Sequence, residues 1–305
     1  MPRKINQIYP PKIFIVDKPV DKTSADVVNY FKRNLPKGFG KIGHLGTLDP
    51  FASGILLIAT GGASRLADYF HELCPKTYFA KGLLGISTNT GDLTGEVIET
   101  SEREVSQSEI LDQLSNFEGR YMQIPHKFSA TKHNGKPLYK YSREGIEIEK
   151  EAVERFVHKI VFEKLEGEKL SFSTTVSSGT YIRSLFEDIS KSLNSCGHLI
   201  ELRRTAIGEA INLDKSLSEG VWPVRGDEFD MDLGLCPSKL LEFPHLNLEG
   251  EYLRLYSNGG EVLAGDLSNG FCWVFDDLGN ILGLGNVDNG KVKVKVNLPR
   301  VNISK

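Results

Sequence analysis

The spacing of hydrophobic residues in the first part of the chain predicts alternating strands and helices. The runs IFIV at 13–16 and GILLIAT at 54–60 are typical of strands, the second one buried. Between them, Val27 and Phe31 recur at helical spacing after Thr23, a candidate N-cap. Further elements are predicted in this order: a helix over 61–70, a strand over 76–86, a helix opened by the capping box at 106–109, strands over 159–165 and 169–176, and a helix opened by 177–183 that runs through 193.

The last part of the chain has a different pattern. Residues 241–305 combine short apolar runs with many turn glycines, and Asn289 and Gly290 stand between VD and the alternating KVKVKV. An Asn-Gly pair in that setting is a strong hairpin signal. We therefore predict a small β-rich module of roughly 60 residues, plausibly a separate domain. It follows an acidic, turn-rich stretch over 206–240.

Composition is that of a globular protein, with 40% hydrophobic and 25% charged residues. No apolar run is long enough to span a bilayer, and the basic N-terminus lacks the apolar segment of a signal peptide. The four cysteines have no CxxC spacing, so neither a zinc knuckle nor a redox motif is predicted. We therefore expect a cytoplasmic protein with reduced thiols and no membrane partner.

The net charge of −3 argues at first against a nucleic-acid partner, but the charges are unevenly distributed along the chain. Residues 1–50 hold nine Lys or Arg against four Asp or Glu, and residues 126–145 hold five against one. Residues 206–251 hold three against ten. The acidic segment thus cancels the two basic segments in the net charge. A local basic surface is enough to bind phosphates. Charge runs are also common on ordinary solvated surfaces, so the pattern permits a nucleic-acid partner without requiring one.

The stretch KIGHLGTLDPFASG at 41–54 carries the first candidate site residues, His44 and Asp49. Pro50 disfavours helix at Asp49, so this carboxylate should sit on a stiff, extended or turn backbone. The glycines around His44 permit backbone angles and close approaches that side chains forbid. A polar loop against the buried strand at 54–60 suits a functional site, although an ordinary turn with a capping aspartate fits as well.

Four other residues are candidates, and the first two have ordinary structural alternatives. Lys18 before Pro19 is typical of a surface turn lysine. Tyr78 in the predicted strand could be a cross-strand or core aromatic. Tyr181 and Arg183 are two apart in an extended lead-in and should point the same way. Arginine at such a junction is a strong candidate partner for a carboxylate.

Residues 123–150 mix basic and aromatic side chains, among them Lys132 and Arg143. Cations can hold phosphates while rings stack on bases, so this pattern suits RNA. An exposed amphipathic helix over PLYKYSREG is the structural alternative.

Several motifs together, DKP, GHLGTLDPFASG, KTY, GTYIRSL and LRRTAIG, resemble in order and spacing the TruB family of tRNA pseudouridine synthases. The resemblance includes the elements TxTGDxxGEV, QIPxxxSAxK and YxxxREGI and covers about residues 10–210. Each motif alone is weak, but the ordered set is highly specific. The chain departs from the family at Asp21, where glycine is usual, and at His126, where a second proline is usual.

The resemblance implies roles for individual residues. Asp49 matches the catalytic aspartate, and Arg183 matches the arginine that pairs with it. Tyr78 and Tyr181 match tyrosines placed near the target base. The remaining residues are implied to contact RNA or line the pocket: His44 filling the space of the extruded uridine, Leu202 in the pocket, and Lys18, Lys132 and Arg143 at basic positions near the RNA.

The resemblance also implies the fold and the partner. We expect a mixed α/β (α+β) pseudouridine synthase fold with a bent, mainly antiparallel central sheet in residues 1–240, including an RNA-clamping insertion at about 123–150. A PUA-like RNA-binding module would follow over 241–305. The expected reaction converts one uridine in the T-loop of tRNA, the position numbered 55, to pseudouridine. It needs no cofactor or metal, and the enzyme would be a monomer that acts on the T-arm without an obligate protein partner.

Two alternatives remain. The chain could be an RNA-binding or tRNA-folding protein with secondary or lost catalysis, but a pure binder has no need for a carboxylate facing RNA phosphate. It could also be a guide-RNA-dependent relative. The start of the chain close to the catalytic motifs and the lack of long basic tails favour a stand-alone enzyme.

Overall fold

A large sheet organises the computed structural model, which describes residues 9–127, 132–133, 135–138, 141, 144–146, 148, 150–213 and 233–298. Within these residues the sheet has nine strands: β1 Ile13–Lys18, β2 Ile42–His44, β3 Ser53–Thr60, β4 Lys76–Leu84, β7 Gly119–Gln123, β10 Val153–Glu166, β11 Lys169–Val176, β12 Gly197–Ile207 and β13 Ile211–Asn212. Two small hairpins stand beside it: β5 Ile86–Thr88 with β6 Val97–Thr100, and β8 Lys132–His133 with β9 Lys136–Pro137.

The order of the strands confirms a mainly antiparallel sheet. Its path is β1-β3-β12-β4-β11-β10-β7, with β2 on β3 and β13 on β12. Every pairing in it is antiparallel except β3 with β12, where Ser53 faces Arg203 and Gly54 faces Arg204. That short parallel contact joins the strand after the 41–54 stretch to the centre of the sheet.

The α-helices whose bounds lie within the described residues cover the sheets: α1 Ser24–Asn34, α2 Ala67–Leu73, α3 Gln107–Ser115, α4 Ile182–Ser192 and α5 Gly250–Ser257. The predicted starts of α1 and α3 are confirmed, because Thr23 and Ser106 each form a capping box with the acidic residue three positions on. On α1, Val27 and Phe31 are fully buried, as their spacing predicts. The face of α4 that includes Leu185 and Phe186 is buried too.

Some predicted boundaries are wrong. The helix expected over 61–70 begins as a 3₁₀ turn, Gly61–Leu66, and becomes α-helical only at α2. Gly61 has φ +58, which no regular α-helix accepts. The strand expected over 159–165 starts earlier, at Val153. The sequence also predicts a short strand after Arg203 and Arg204, whereas both residues lie inside the long strand β12.

A second sheet forms in the C-terminal part: β14 His245–Leu248, β15 Val262–Leu263, β16 Gly270–Asp276, β17 Ile281–Asp288 and β18 Lys291–Asn297, in the order β14-β16-β17-β18-β15. The predicted hairpin is confirmed, with Asn289 at φ 49 and Gly290 at φ 73 between β17 and β18. Positive φ at both residues is typical of a type I′ turn, whose twist matches the twist of the two flanking strands.

The two sheets share part of their hydrophobic core. One cluster joins Ile13 and Ile55 of the large sheet to Trp273 and Leu284 of the second sheet. The second sheet also has a cluster of its own around Tyr256. Among the described residues, no helix is both long and apolar enough to cross a membrane.

Candidate active site

Asp49 lies in the loop between β2 and β3, and neighbouring elements hold this loop from two sides. Ser24, the first residue of α1, donates its hydroxyl to the carbonyl of Leu48 at 3.1 Å and accepts from the Leu48 amide at 3.0 Å. The amide of Asp21 donates to the carbonyl of Pro50 at 2.9 Å. Asp21 has φ +63, a conformation that glycine adopts without strain. This explains why glycine suits the position in the family.

Lys18 requires a correction. Its side chain is fully buried, so it is neither a surface turn lysine nor open to RNA phosphates. Its Nζ donates to the carbonyls of Pro19, Lys22 and Pro50 at 2.8, 2.6 and 3.3 Å. Burial lowers the pKa of Lys18 to about 8, although the charge of Asp49 opposes that shift. Lys18 therefore fixes the backbone next to Asp49 and adds a positive charge near it.

Arg183 forms the predicted ion pair with Asp49. It stands in the first turn of α4, is buried, and brings its Nε to 3.0 Å from Oδ2 of Asp49. Its Nη1 donates to the carbonyl of Thr90 at 2.8 Å and lies 3.3 Å from Oδ2 of Asp92. One guanidinium is thus held between two carboxylates and a backbone carbonyl, which fixes its plane.

The electrostatics of Asp49 combine desolvation with nearby charge. Burial raises the pKa of Asp49, the charges of Arg183 and Lys18 lower it, and Asp92 raises it. The net result is a pKa above the ordinary value of aspartate. One third of the side chain is exposed. The guanidinium offsets part of the cost of keeping an ionised carboxylate in this setting.

The ion pair opens on a cavity of about 300 Å³, which is at the small end for ligand pockets. Predicted residues from four elements line it: Asp49, Tyr78 of β4, Tyr181 and Arg183 at the start of α4, and Leu202 of β12. Tyr78 is half-buried and also packs against the main core, as the structural alternative expects, and its contact with the target base stays a prediction. Leu202 is buried, with 5% of its surface exposed.

His44 is on β2, opposite Ile58 of β3, and is half-buried. It is outside the set of residues that line the cavity. Burial and the charge of Arg204 lower the pKa of His44, so the ring is neutral at pH 7. Its Nδ1 is buried without a hydrogen-bond partner in the described part of the chain. The structure therefore puts His44 beside the candidate site rather than in it.

Arg204 holds the other side of the loop. Its guanidinium is buried and donates to the carbonyls of Ile55, Gly46 and Thr47 at 2.7, 3.3 and 3.5 Å. Gly54 lets β12 come this close, because a Cβ on it would be 2.2 Å from the carbonyl oxygen of Arg204. Arg203 points to the opposite face and pairs with Asp17 at 2.5 Å.

Sequence reasoning missed Asp92 and Arg204. Asp92 is in the TGDLTG stretch, which the family resemblance includes but to which no role was given. The available signal was a charged residue inside a motif shared with the family, Asp92 between two glycines and Arg204 in LRRTAIG. Arg143 lies outside the described residues, and for Lys132 only the backbone of β8 is described. Their predicted contacts with RNA stay predictions.

Comparisons with known proteins agree with this geometry. The model of the TruB family pseudouridylate synthase N-terminal domain matches residues 32–182. A tRNA pseudouridine synthase B of Aeromonas salmonicida is 42% identical over 195 residues, which cover 64% of this chain and 60% of that protein. The protein of the same name in Tolumonas auensis is 35% identical over 263 residues, covering 82% of this chain and 80% of the relative.

A solved structure supports the fold. A chain in the structure of an H/ACA RNP bound to a substrate RNA containing 2′-deoxyuridine superposes with a TM-score of 0.67. It is 22% identical, and the match covers 95% of this chain and 86% of that one. The similarity of sequence to the curated relatives, together with the family match, settles the classification. The chain belongs to the TruB family of pseudouridylate synthases.

Proposed function

We propose that this protein converts a uridine of tRNA to pseudouridine, with Asp49 as the nucleophile. One observation carries the proposal: Oδ2 of Asp49 is 3.0 Å from Nε of the buried Arg183, at the edge of a cavity that Tyr78, Tyr181 and Leu202 also line. A carboxylate held by a buried arginine beside aromatic rings is suited to attack on a nucleoside.

The reaction is an isomerisation, so its atoms balance within the substrate. The bond between N1 of uracil and C1′ of ribose breaks, a bond between C5 and C1′ forms, and the proton on C5 is lost while N1 gains one. No electrons enter or leave. Carboxylates serve as covalent nucleophiles in other glycosyl chemistry, and Asp49 fills that role here. Arg183 orients the carboxylate and offsets its desolvation when RNA covers the site.

The target base must leave its stack to reach Asp49, at a cost of about a few kcal/mol. Stacking on Tyr78 contributes roughly 1–3 kcal/mol toward that cost. In the proposal, the substrate is the uridine numbered 55 in the T-arm, and His44, beside the cavity, occupies the space that the base leaves.

The proposed division of labour along the chain is a catalytic domain over 1–240 and a PUA-like RNA-binding module over 241–305. The insertion at about 123–150, including Lys132 and Arg143, would contact the RNA backbone. The enzyme would act as a cytoplasmic monomer, without an obligate protein partner.

The test compares Asp49→Asn with the wild type on unmodified tRNA. The amide keeps the shape of the side chain but removes the nucleophile, so conversion should fall at least about 1000-fold while tRNA affinity changes little. Asp112→Asn, the same change at an exposed position of α3, should convert tRNA at the wild-type rate. Pseudouridine is mapped by position, and affinity is measured by filter binding.

Each other outcome has a definite meaning. Conversion by Asp49→Asn at more than a tenth of the wild-type rate would rule out this nucleophile. Tight binding of tRNA by the wild type without any product would favour an RNA-binding or tRNA-folding protein instead. Product at a uridine outside the T-arm would keep the reaction and overturn the proposed position.

A further inference from the structure

Gln123 makes a contact that the proposed chemistry does not use. It is the last residue of β7 and only 1% exposed. Its Oε1 accepts from the backbone N–H of Tyr181 at 2.8 Å, and its Nε2 donates to the carbonyl of the same residue at 3.0 Å. One side-chain amide therefore binds both peptide groups that flank the Cα of Tyr181.

This arrangement copies the exchange of two hydrogen bonds between paired residues of antiparallel strands. Tyr181 is the N-cap of α4, extended at φ −90 and ψ 111, and its own side chain makes no capping hydrogen bond. Holding the peptide groups on both sides of a Cα limits φ and ψ together. Those two angles set the direction in which the tyrosine ring leaves the backbone. They also set the direction of α4, which begins at Ile182 and carries Arg183 in its first turn.

Other contacts hold the earlier part of the same lead-in. The amide of Ser177 donates to the carbonyl of Phe156 at 2.8 Å, and the amide of Phe156 donates to the Ser177 hydroxyl at 2.9 Å. Lys76 donates to the hydroxyl of Ser178. These contacts act three or more residues before Tyr181, whereas Gln123 acts on Tyr181 itself.

We propose that Gln123 is a positioning residue for the reaction, which sets Tyr181 and, through the start of α4, Arg183 at the cavity. The inference rests on the proposed function and deepens it. The position needs one donor and one acceptor on a side chain of this length: methionine has the length without the dipoles, and an ionised glutamate offers acceptors only. A protonated glutamic acid offers one donor and one acceptor, as the amide does.

The first experiment measures single-turnover conversion of unmodified tRNA by Gln123→Met. Because the ring and the guanidinium lose their common support, we expect the rate to fall roughly 10- to 100-fold. The dissociation constant for tRNA should stay within about twofold of wild type, since Gln123 is buried and faces protein. Gln113→Met is the matched control, the same substitution on the partly exposed helix α3, and should behave as wild type.

The second experiment uses Gln123→Glu across pH 5 to 9, with each rate divided by the wild-type rate at the same pH. The division removes titrations common to both proteins. The hydroxyl of Tyr121, which contacts Gln123 and donates to Asp188, stays protonated over this range because burial raises its pKa. Burial raises the pKa of a carboxyl at this position. The ratio should be highest at low pH, where the acid can donate to Tyr181, and should fall as the pH rises and the acid ionises.

The outcomes separate this inference from the proposed function. A Gln123→Met rate within twofold of wild type, or an equal loss of rate and affinity, would overturn the positioning role. If that variant does not fold, the Gln123→Glu series decides, and a flat ratio would overturn the inference. An active wild type with unaffected variants removes this inference alone, whereas a wild type that makes no pseudouridine removes the proposed function with it.

Discussion

At the residue scale, Arg183 and Glu187 are four residues apart on α4, and both side chains lie against the backbone at Thr90 and Gly91. Arg183 binds the carbonyl of Thr90, and a Cβ on Gly91 would lie 2.8 Å from Oε1 of Glu187. On the other side, Nε2 of His126 is 4.0 Å from that oxygen. Burial lowers the pKa of His126 to about 3, so this contact is not an ion pair at neutral pH. His126, which stands where the family usually has proline, thus packs against Gly91 and Glu187, next to the residues that bind Arg183.

Glu187 should make stability depend on pH in an unusual direction. Burial raises its pKa from 4.5 to about 7, with Asp188 adding to the shift and Lys191, Arg183 and Lys127 opposing it. The raised pKa means that the native state keeps this proton where the unfolded chain has lost it. The contribution of Glu187 to the free energy of unfolding is complete below pH 4.5 and is lost as the pH rises through 7. It amounts to something on the order of 2 kcal/mol, after allowance for partial exposure.

Urea unfolding at pH 5 and pH 8 checks this prediction. Glu187→Gln keeps the shape and cannot ionise, so its stability relative to wild type should improve by about that amount between the two pH values. Glu104→Gln, on an exposed carboxyl, gives the effect of removing one negative charge from the surface. A difference between Glu187→Gln and wild type that is the same at both pH values would contradict the prediction.

The sequence predicted single residues well where one contact follows from local geometry. Arginine at a strand-to-helix junction suggested a carboxylate partner, and Arg183 does bind Asp49. Lys18 could not be judged in the same way, because its burial depends on three carbonyls brought together by separate turns. Asp92 was missed because the TGDLTG motif was given no role, whereas the family resemblance named Asp49 as the partner of Arg183.

At the element scale, β12 connects the candidate site to the centre of the sheet. It pairs antiparallel with β4, which carries Tyr78, and parallel with β3, which follows the Asp49 loop. Sequence pattern predicted β3 and α1 because their apolar residues have a clear period. It did not predict the extent of β12, since a strand with a buried arginine in it breaks the apolar pattern.

Arg204→Lys should therefore destabilise the protein by roughly 2 kcal/mol, because one ammonium cannot reach carbonyls on both β3 and the loop at 46–47, and a buried carbonyl is left unsatisfied. The rate of pseudouridine formation should fall as well, since the loop carries Asp49. Arg203→Lys is the matched control. It makes the same change one position away, on the partly exposed face, and should cost under about 1 kcal/mol.

Unfolding both variants in guanidinium chloride compares their losses of stability. Equal losses at positions 203 and 204 would mean that charge on β12 matters and the carbonyl contacts of Arg204 do not. A loss of stability at 204 without a loss of rate would mean that the loop keeps its shape through Ser24 and Lys18 alone.

At the scale of the whole molecule, the second sheet is less separate than its sequence suggested. Its composition changes sharply after residue 240, which favoured an independent module. In the structure, Phe271 packs edge-on against Tyr69 of α2, and Arg65 donates to the carbonyl of Asn297 at 2.6 Å. The indole of Trp273 donates to Leu241 at 2.7 Å within the core shared by both sheets. Composition marks where a pattern changes, but it does not report which faces are buried together.

A shared core should make the two sheets unfold together. The sequence has two tryptophans, so in Trp222→Phe the tryptophan fluorescence comes from Trp273 of β16, at the junction of the two sheets. Far-UV circular dichroism reports on the whole chain, and the two urea midpoints should coincide. Removing the half-buried ring of Phe271 at the junction, in Phe271→Ala, should shift both midpoints downward by the same amount, because neither sheet can lose that contact alone. Fluorescence that changes at lower urea than the dichroism would show a module that opens by itself, and the shared cluster would then be too weak to couple the sheets.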